Sequence, residues 1–140
     1  MKIGICDDDK IIHEDLKKLI YNSLLYRPDY TVIDFYDAES LLEGCEQESG
    51  YDIIFLDIEM DKISGMEAAK KIKQLYKNTI IIFISNYPSY VFEAFRVEAL
   101  HFIVKPVSEA EFADVFSRAI NKYSLLNSAL TLKWQNERYV

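Results

Sequence analysis

The sequence is short of cysteine, of positive charge and of long hydrophobic runs, and each shortage removes a class of protein. Only two cysteines occur in 140 residues. Cys6 lies in an apolar run and Cys45 in a helical stretch; they share no motif and read as small core residues of a reducing compartment. A chain of this length buries a core without disulfide or metal staples. Bases number 16 against 23 acids, a net charge of -7, which opposes any non-specific hold on nucleic acid or anionic membrane. The longest unbroken apolar run, Ile80 to Ile84, is far below the ~20 residues of a membrane span. Met1 to Cys6 leads straight into the acidic "DDDK", leaving no room for a signal peptide. A soluble, cytoplasmic protein without a membrane partner is expected. There is no low-complexity segment, no internal repeat beyond a strand-helix unit, and no linker before about residue 127.

What the sequence does contain is five short apolar runs: "KIGIC" (2–6), "TVIDFY" (31–36), "DIIFL" (52–56), "TIIIFIS" (79–85) and "LHFIVK" (100–105). Between them apolar residues fall at helical spacing: Ile12, Leu16, Leu19, Ile20 and Leu24; Met66, Ala69, Ile72 and Tyr76; Phe112, Val115, Phe116, Ala119, Ile120 and Tyr123. Ser64 and Glu67 match a capping box at the start of the third helix. Strand and helix in alternation predict an α/β fold, an open parallel sheet with helices on both faces. The first, third and fourth runs are almost wholly apolar, as strands covered on both faces must be, whereas the second admits Asp34 and the fifth His101. Those two are therefore placed at the edges, and right-handed crossovers then give the order 2-1-3-4-5, a flavodoxin-like, doubly wound sheet of five strands. The tail "SALTLKWQNERYV" breaks the pattern. There Leu130, Leu132 and Trp134 alternate with polar neighbours, which predicts a strand.

In a parallel sheet the C-terminal strand ends share one edge, which here collects Asp7, Asp8, Asp57, Ser85 and Lys105. The order reverses between strands 1 and 3, where such sheets bind ligands. Each residue has a bland reading: "DDDK" as a helix cap with dipole-complementing acids, Ser85 as a turn hydroxyl, Lys105 as a solvated strand end. The combination argues otherwise, because three carboxylates in one crevice repel unless a cation intervenes. Mg2+ suits the oxygen ligands. A carboxylate beside Mg2+ and a lysine is equipped to attack phosphorus, and Asp57, at the end of the central strand, is the expected nucleophile.

The motifs "KIGICDDD", "FLDIEM", "SGMEAAKKIK", "IIFIS" and "HFIVKP", in this order over about residues 1–125, resemble the receiver domains of bacterial two-component response regulators. The resemblance implies that Asp57 accepts a phosphoryl group from a sensor histidine kinase. It implies that Asp7, Asp8, Asp57 and the backbone carbonyl of Glu59 hold Mg2+, that Ser85 and Phe102 are switch residues, and that Lys105 pairs with the phosphoryl group. Such a domain catalyses only its own phosphorylation and slow dephosphorylation. The expected output surface is the fourth helix, fifth strand and fifth helix, where Tyr87, Tyr90, Phe92 and Phe95 make a helical stretch unusually aromatic. From it a homodimer on phosphorylation is expected, with Tyr90, Phe92 and Phe95 at the interface. Two positions depart from the family pattern: Asp61 where proline is common, and Asn86 where a small residue is usual.

Residues 85–107 also resemble receivers joined to LytTR-type DNA-binding domains, as in AgrA- and LytR-like regulators. On that resemblance residues 1–125 are the receiver, and 126–140 a linker with the first strand of a truncated output domain. DNA is then a partner only through that missing domain, and transcription is the output. Kinase specificity is expected on the first helix near His13 and Glu14, with His13 a solvated helix residue. Two other functions compete. A Mg2+-dependent phosphatase of the haloacid-dehalogenase type also uses a strand-end aspartate, but wants a second aspartate where Glu59 stands, and the chain offers no cap segment. A phosphorylation-independent interaction domain would not need the full set of Asp7, Asp8, Asp57, Ser85 and Lys105.

Overall fold

The computed structural model describes residues 1–138, with side chains through 128. Strands β1 (Lys2–Cys6), β2 (Thr31–Phe35), β3 (Ile53–Leu56), β4 (Ile80–Ser85) and β5 (His101–Val104) alternate with helices α1 (Lys10–Tyr21), α2 (Ala38–Glu48), α3 (Gly65–Leu75), α4 (Val91–Arg96) and α5 (Glu109–Arg138). All neighbouring strands pair in parallel, in the order β2-β1-β3-β4-β5. The order follows from composition as expected: β3 and β4 are buried at every residue, while β2 and β5 are only partly covered.

Alternation along each strand splits the core into two layers. Ile3, Ile5, Ile53, Phe55, Ile82 and Ile103 face Leu16 and Ile20 of α1 and Phe112, Val115 and Phe116 of α5. Cys6, Ile54, Leu56, Ile81 and Phe83 face Leu41 and Cys45 of α2, Met66 and Ile72 of α3, and Ala94 of α4. Each large side chain so buried contributes roughly 1.5–3 kcal/mol, which fixes the central strands and hence their ends. Both cysteines are free and buried. Cys6 has its thiol pushed up well above the usual range, chiefly by burial and then by Asp7.

Four helix starts are set by side-chain caps. Asp9 accepts from Ile11 N, Asp37 from Ser40 N, Ser64 from Glu67 N and Ser108 from Glu111 N. Before α4 comes a single 3-10 turn, Pro88–Tyr90. The tail differs from expectation, since α5 continues unbroken to Arg138 in place of a linker and strand. A lone strand with no edge to pair with leaves its backbone groups unmet within the sheet. Ala, Leu, Lys, Gln, Glu and Arg in the tail are good helix formers, so the helix propagates. Tyr139 and Val140 lie outside the described residues.

Candidate functional site

The sheet itself positions the crevice. Asp7, Asp57 and Lys105 each stand one residue past a strand, yet their backbone N–H groups still bond the neighbouring strand: Asp7 N to Phe35 O at 3.1 Å, Asp57 N to Cys6 O at 2.9 Å, and Lys105 N to Ser85 O at 2.8 Å. Their side chains are thus anchored by sheet geometry and not by loop conformation. Carboxylate oxygens of Asp7, Asp8 and Asp57 lie within 4.8 Å of one another. Asp7 and Asp57 are only 2% and 6% exposed, so water screens them little.

Lys105 enters from the far side. Its Nζ lies 2.9 Å from Asp7 Oδ2 and 3.6 Å from Asp57 Oδ1. Burial opposes its charge, but the close ion pair with Asp7 and the charge of Asp57 hold its pKa above the ordinary lysine value. One cation does not balance three carboxylates. At such separations each like-charged pair costs about 3 kcal/mol at an effective dielectric of about 20. Accordingly Asp57 is pushed up to about 7, first by burial and then by Asp7, with Lys105 pulling the other way. Asp8 is also raised, by partial burial and by Asp7.

The donor set fits a hard divalent cation. It is all oxygen, and Asp7 Oδ2 is buried without a properly directed hydrogen bond, its 2.9 Å approach to Lys105 notwithstanding. Two other oxygens are committed: Asp7 Oδ1 accepts from Asp9 N at 2.8 Å and Asp57 Oδ1 from Ile58 N at 2.9 Å.

Around this centre the remaining candidates take distinct places. Ser85 is fully buried, with its hydroxyl accepting from Tyr87 N at 3.1 Å. Phe102, half-buried, packs against Phe83 at 6.5 Å between ring centroids. Glu59 follows Asp57 by two residues, and its carboxylate accepts from Tyr90 Oη at 2.9 Å. Phe92 and Phe95 are 77% and 70% exposed, and Tyr90 is half-buried. Asp61 and Asn86 are both exposed.

The structure corrects one expectation and adds one residue. His13 is not solvated: it is 1% exposed, with Nδ1 2.7 Å from Asp34 Oδ1 and Nε2 2.8 Å from the carbonyl oxygen of Asp7. Its partners come from β2 and from the turn after β1, contacts that helical periodicity does not reveal. Gly65, the first residue of α3, donates to Ile58 O at 2.8 Å, and a Cβ there would lie 1.8 Å from the backbone oxygen of Asp57. The signal was the glycine directly after the Ser64 cap.

Comparison with known proteins agrees with this geometry. Residues 3–117 match the family model of the response regulator receiver domain. The sensory transduction protein LytT of Oceanobacillus iheyensis is 35% identical over 120 residues, covering 83% of this chain and 46% of that protein. The sensory transduction protein LytR of Staphylococcus haemolyticus is 32% identical over 124 residues, covering 87% of this chain and 44% of that protein. The chain thus spans about half the length of the curated relatives it matches. Among solved structures, the response regulatory domain of mrkE from Klebsiella pneumoniae has a TM-score of 0.80 and 27% identity, covering 89% of this chain and 99% of that one. With its sheet order, its strand-end carboxylates and most of its length in agreement, the chain belongs to the response regulator receiver domain family.

Proposed function

We propose that Asp57 accepts a phosphoryl group from a phosphohistidine of a sensor kinase. The single observation that carries this reading is a buried strand-end carboxylate flanked by Lys105 and by two further acids. The Asp57 carboxylate attacks phosphorus in line with the leaving imidazole. The O–P bond of an acyl phosphate forms, the N–P bond breaks, and the departing nitrogen keeps the electron pair and takes up a proton. Asp7, Asp8, Asp57 and the Glu59 carbonyl would hold Mg2+, which supplies charge neutralisation on the transferring oxygens. Lys105, already held charged by Asp7, meets the same oxygens from the other side. The domain catalyses only its own phosphorylation and slow dephosphorylation.

The response is a population shift. A phosphoryl group gives the Ser85 hydroxyl a better partner than Tyr87 N, so Ser85 turns inward to donate and releases the start of the Pro88–Tyr90 turn. Phe102 follows, and the α4, β5 and α5 surface re-packs, closing a homodimer on Tyr90, Phe92 and Phe95. The kinase docks on α1 beside the site, where an apolar groove of about 790 Å³ lies between Leu16, Leu19 and Leu24 and Pro106, Val107 and Phe112; on the same helix Ile11 and Glu14 are exposed and His13 is buried. The relatives' greater length supports a longer natural protein, with residues 1–125 as receiver and 126–140 leading to a DNA-binding output that controls transcription. A cytoplasmic location fits this role, and among the described residues no helix is long and apolar enough to cross a membrane. The phosphatase alternative is disfavoured because the Glu59 carboxylate is turned to Tyr90 Oη.

Incubation with Mg2+ and a small phosphodonor such as acetyl phosphate is expected to add one phosphoryl mass, stable in acid and labile in base. No adduct, or an undiminished adduct in Asp57→Asn, refutes the proposal. Rapid multiple turnover of phosphomonoesters would instead favour the phosphatase.

A further inference from the structure

We infer that His13 is a positioning residue for the acidic pocket, fixing the peptide plane between Asp7 and Asp8 from which both of their carboxylates branch. The inference rests on the cation site proposed above and adds to it a residue that touches neither cation nor phosphoryl group.

The ring has no freedom. A carbonyl oxygen only accepts, so Nε2 carries a proton and donates to Asp7 O; Nδ1 is bridged to the Asp34 carboxylate by a second proton. Tyr36 covers the ring, with centroids 4.4 Å apart and planes 32° from parallel. Asp34 is in turn held by Lys17, which hydrogen-bonds its other oxygen. Burial opposes the charge of Asp34, yet hydrogen bonds from Lys17 and His13 keep its carboxyl below the usual range. The unit Lys17–Asp34–His13 therefore joins α1 to edge strand β2 and ends on the main chain of Asp7.

The consequence for the pocket follows from peptide geometry. In a trans peptide C=O and N–H point in opposite directions, so tying the Asp7 carbonyl to His13 sends the Asp8 N–H the other way. The Asp8 carboxylate, which has an oxygen within 4.8 Å of those of Asp7 and Asp57, branches from the Cα that carries this N–H. Asp7 is pinned on three further sides, by Asp7 N to Phe35 O at 3.1 Å, by Asp9 N to Oδ1 at 2.8 Å and by Lys105 at Oδ2. Without His13 the 7–8 peptide is the one unanchored joint between these constraints, and it carries two of the three carboxylates.

The ordinary alternative is that His13 is a satisfied core residue that supports only the packing of α1. Mg2+ affinity separates the two. We expect His13→Leu to weaken Mg2+ binding, measured by calorimetry on the folded protein, by about 10-fold, the low end of the effect of outer-shell partners. His13→Gln, which keeps a donor for the carbonyl, should stay within about 3-fold of the parent. Ile20→Ala, which loosens the same helix without touching Asp7, should lower thermal stability and leave Mg2+ affinity unchanged. With saturating Mg2+, phosphorylation of His13→Leu by acetyl phosphate should approach the parent rate. The inference is overturned if His13→Leu binds Mg2+ as tightly as the parent, or if Ile20→Ala weakens binding equally. Failure of the parent itself to bind Mg2+ would instead remove the cation site. Should His13→Leu not fold, the parent still decides: Mg2+ should shift the His13 Nε2–H and Asp8 amide resonances together, and an unmoved His13 resonance in Mg2+-bound protein refutes the coupling.

Discussion

Replacing Asp57 by Asn should stabilise the cation-free protein, and the gain should grow with pH. In the folded chain the Asp57 carboxyl is pushed up to about 7 from an ordinary 3.8, chiefly by burial and by Asp7. A raised carboxyl pKa means that the fold prefers the protonated form. Its stabilising contribution is full below about pH 4 and is lost as the pH rises through about 7. The difference of roughly three pKa steps corresponds to at most about 4 kcal/mol, at about 1.4 kcal/mol per step. Halved for residual solvent screening, about 2 kcal/mol remains. Asn keeps an oxygen for Ile58 N and removes the charge, so at about pH 8 in EDTA the variant should melt about 6 °C higher, taking about 3 °C per kcal/mol for this size. At about pH 5 the gap should shrink below about 1 kcal/mol, since Asp57 is then mostly protonated in the fold. Added Mg2+ should close the gap at high pH by stabilising the parent more than the variant. Thermal unfolding by circular dichroism across pH, with and without Mg2+, measures all of this. Equal melting at high pH, or a gap that widens toward low pH, would refute the electrostatic reading of the crevice.

Gly65→Ala should cost about 3 kcal/mol as an overpacking change and reduce phosphorylation several-fold, because its Cβ would meet the Asp57 carbonyl at 1.8 Å; unfolding and intact-mass time courses check both. Lys105→Met should destabilise the cation-free protein at neutral pH by about 3 kcal/mol, as expected for an ion pair broken inside a fold. The loss should be smaller in Mg2+, and a Mg2+-independent loss would show that Lys105 serves packing alone. Phe92→Ser with Phe95→Ser should change stability by less than about 0.5 kcal/mol each, as exposed positions do, while abolishing any dimer formed with a beryllofluoride mimic. Light scattering gives the mass, and a dimer that survives places the interface elsewhere.

The sheet was legible because double-sided burial leaves a direct mark: Ile53 to Leu56 and Ile80 to Ile84 are apolar without alternation, and Asp34 and His101 reveal the two edges. The strand ends were legible for the same reason, since the residue after a buried run must sit at the sheet's rim. Three features were not. His13 shares the buried face of α1 with Leu16 and Ile20, but spacing along a helix does not name its partners, and Asp34 and Asp7 are 21 and 6 residues away. The hydroxyl of Tyr90 meets Glu59 across 31 residues. In the tail, alternation at Leu130, Leu132 and Trp134 matches a strand only if a sheet edge is present to receive it; alone, the segment continues α5 to Arg138.

The same apolar strands that make the fold readable also make the site reactive. Asp57 is a poor fit for the end of β3 on stability grounds: the burial that fixes β3 raises its carboxyl, and Asp7 raises it further. A sequence selected only for stability would place a neutral residue there, as the expected gain from Asn implies. Under the proposed function the strain has two outlets, a cation among the acids or conversion of Asp57 to an acyl phosphate whose oxygens Lys105 and Ser85 would meet. Each makes occupancy of the pocket more favourable than the empty crevice. Asp7 is already shared between Lys105 and the His13-anchored peptide, so a change at Asp57 reaches β5 through Lys105 and β2 through His13 and Asp34. Replacing Asp34 by Leu should therefore weaken Mg2+ binding as His13→Leu does, and the double variant should be no worse than either single. Additive losses in that double-mutant cycle would mean that Asp34 and His13 act on the pocket by separate routes.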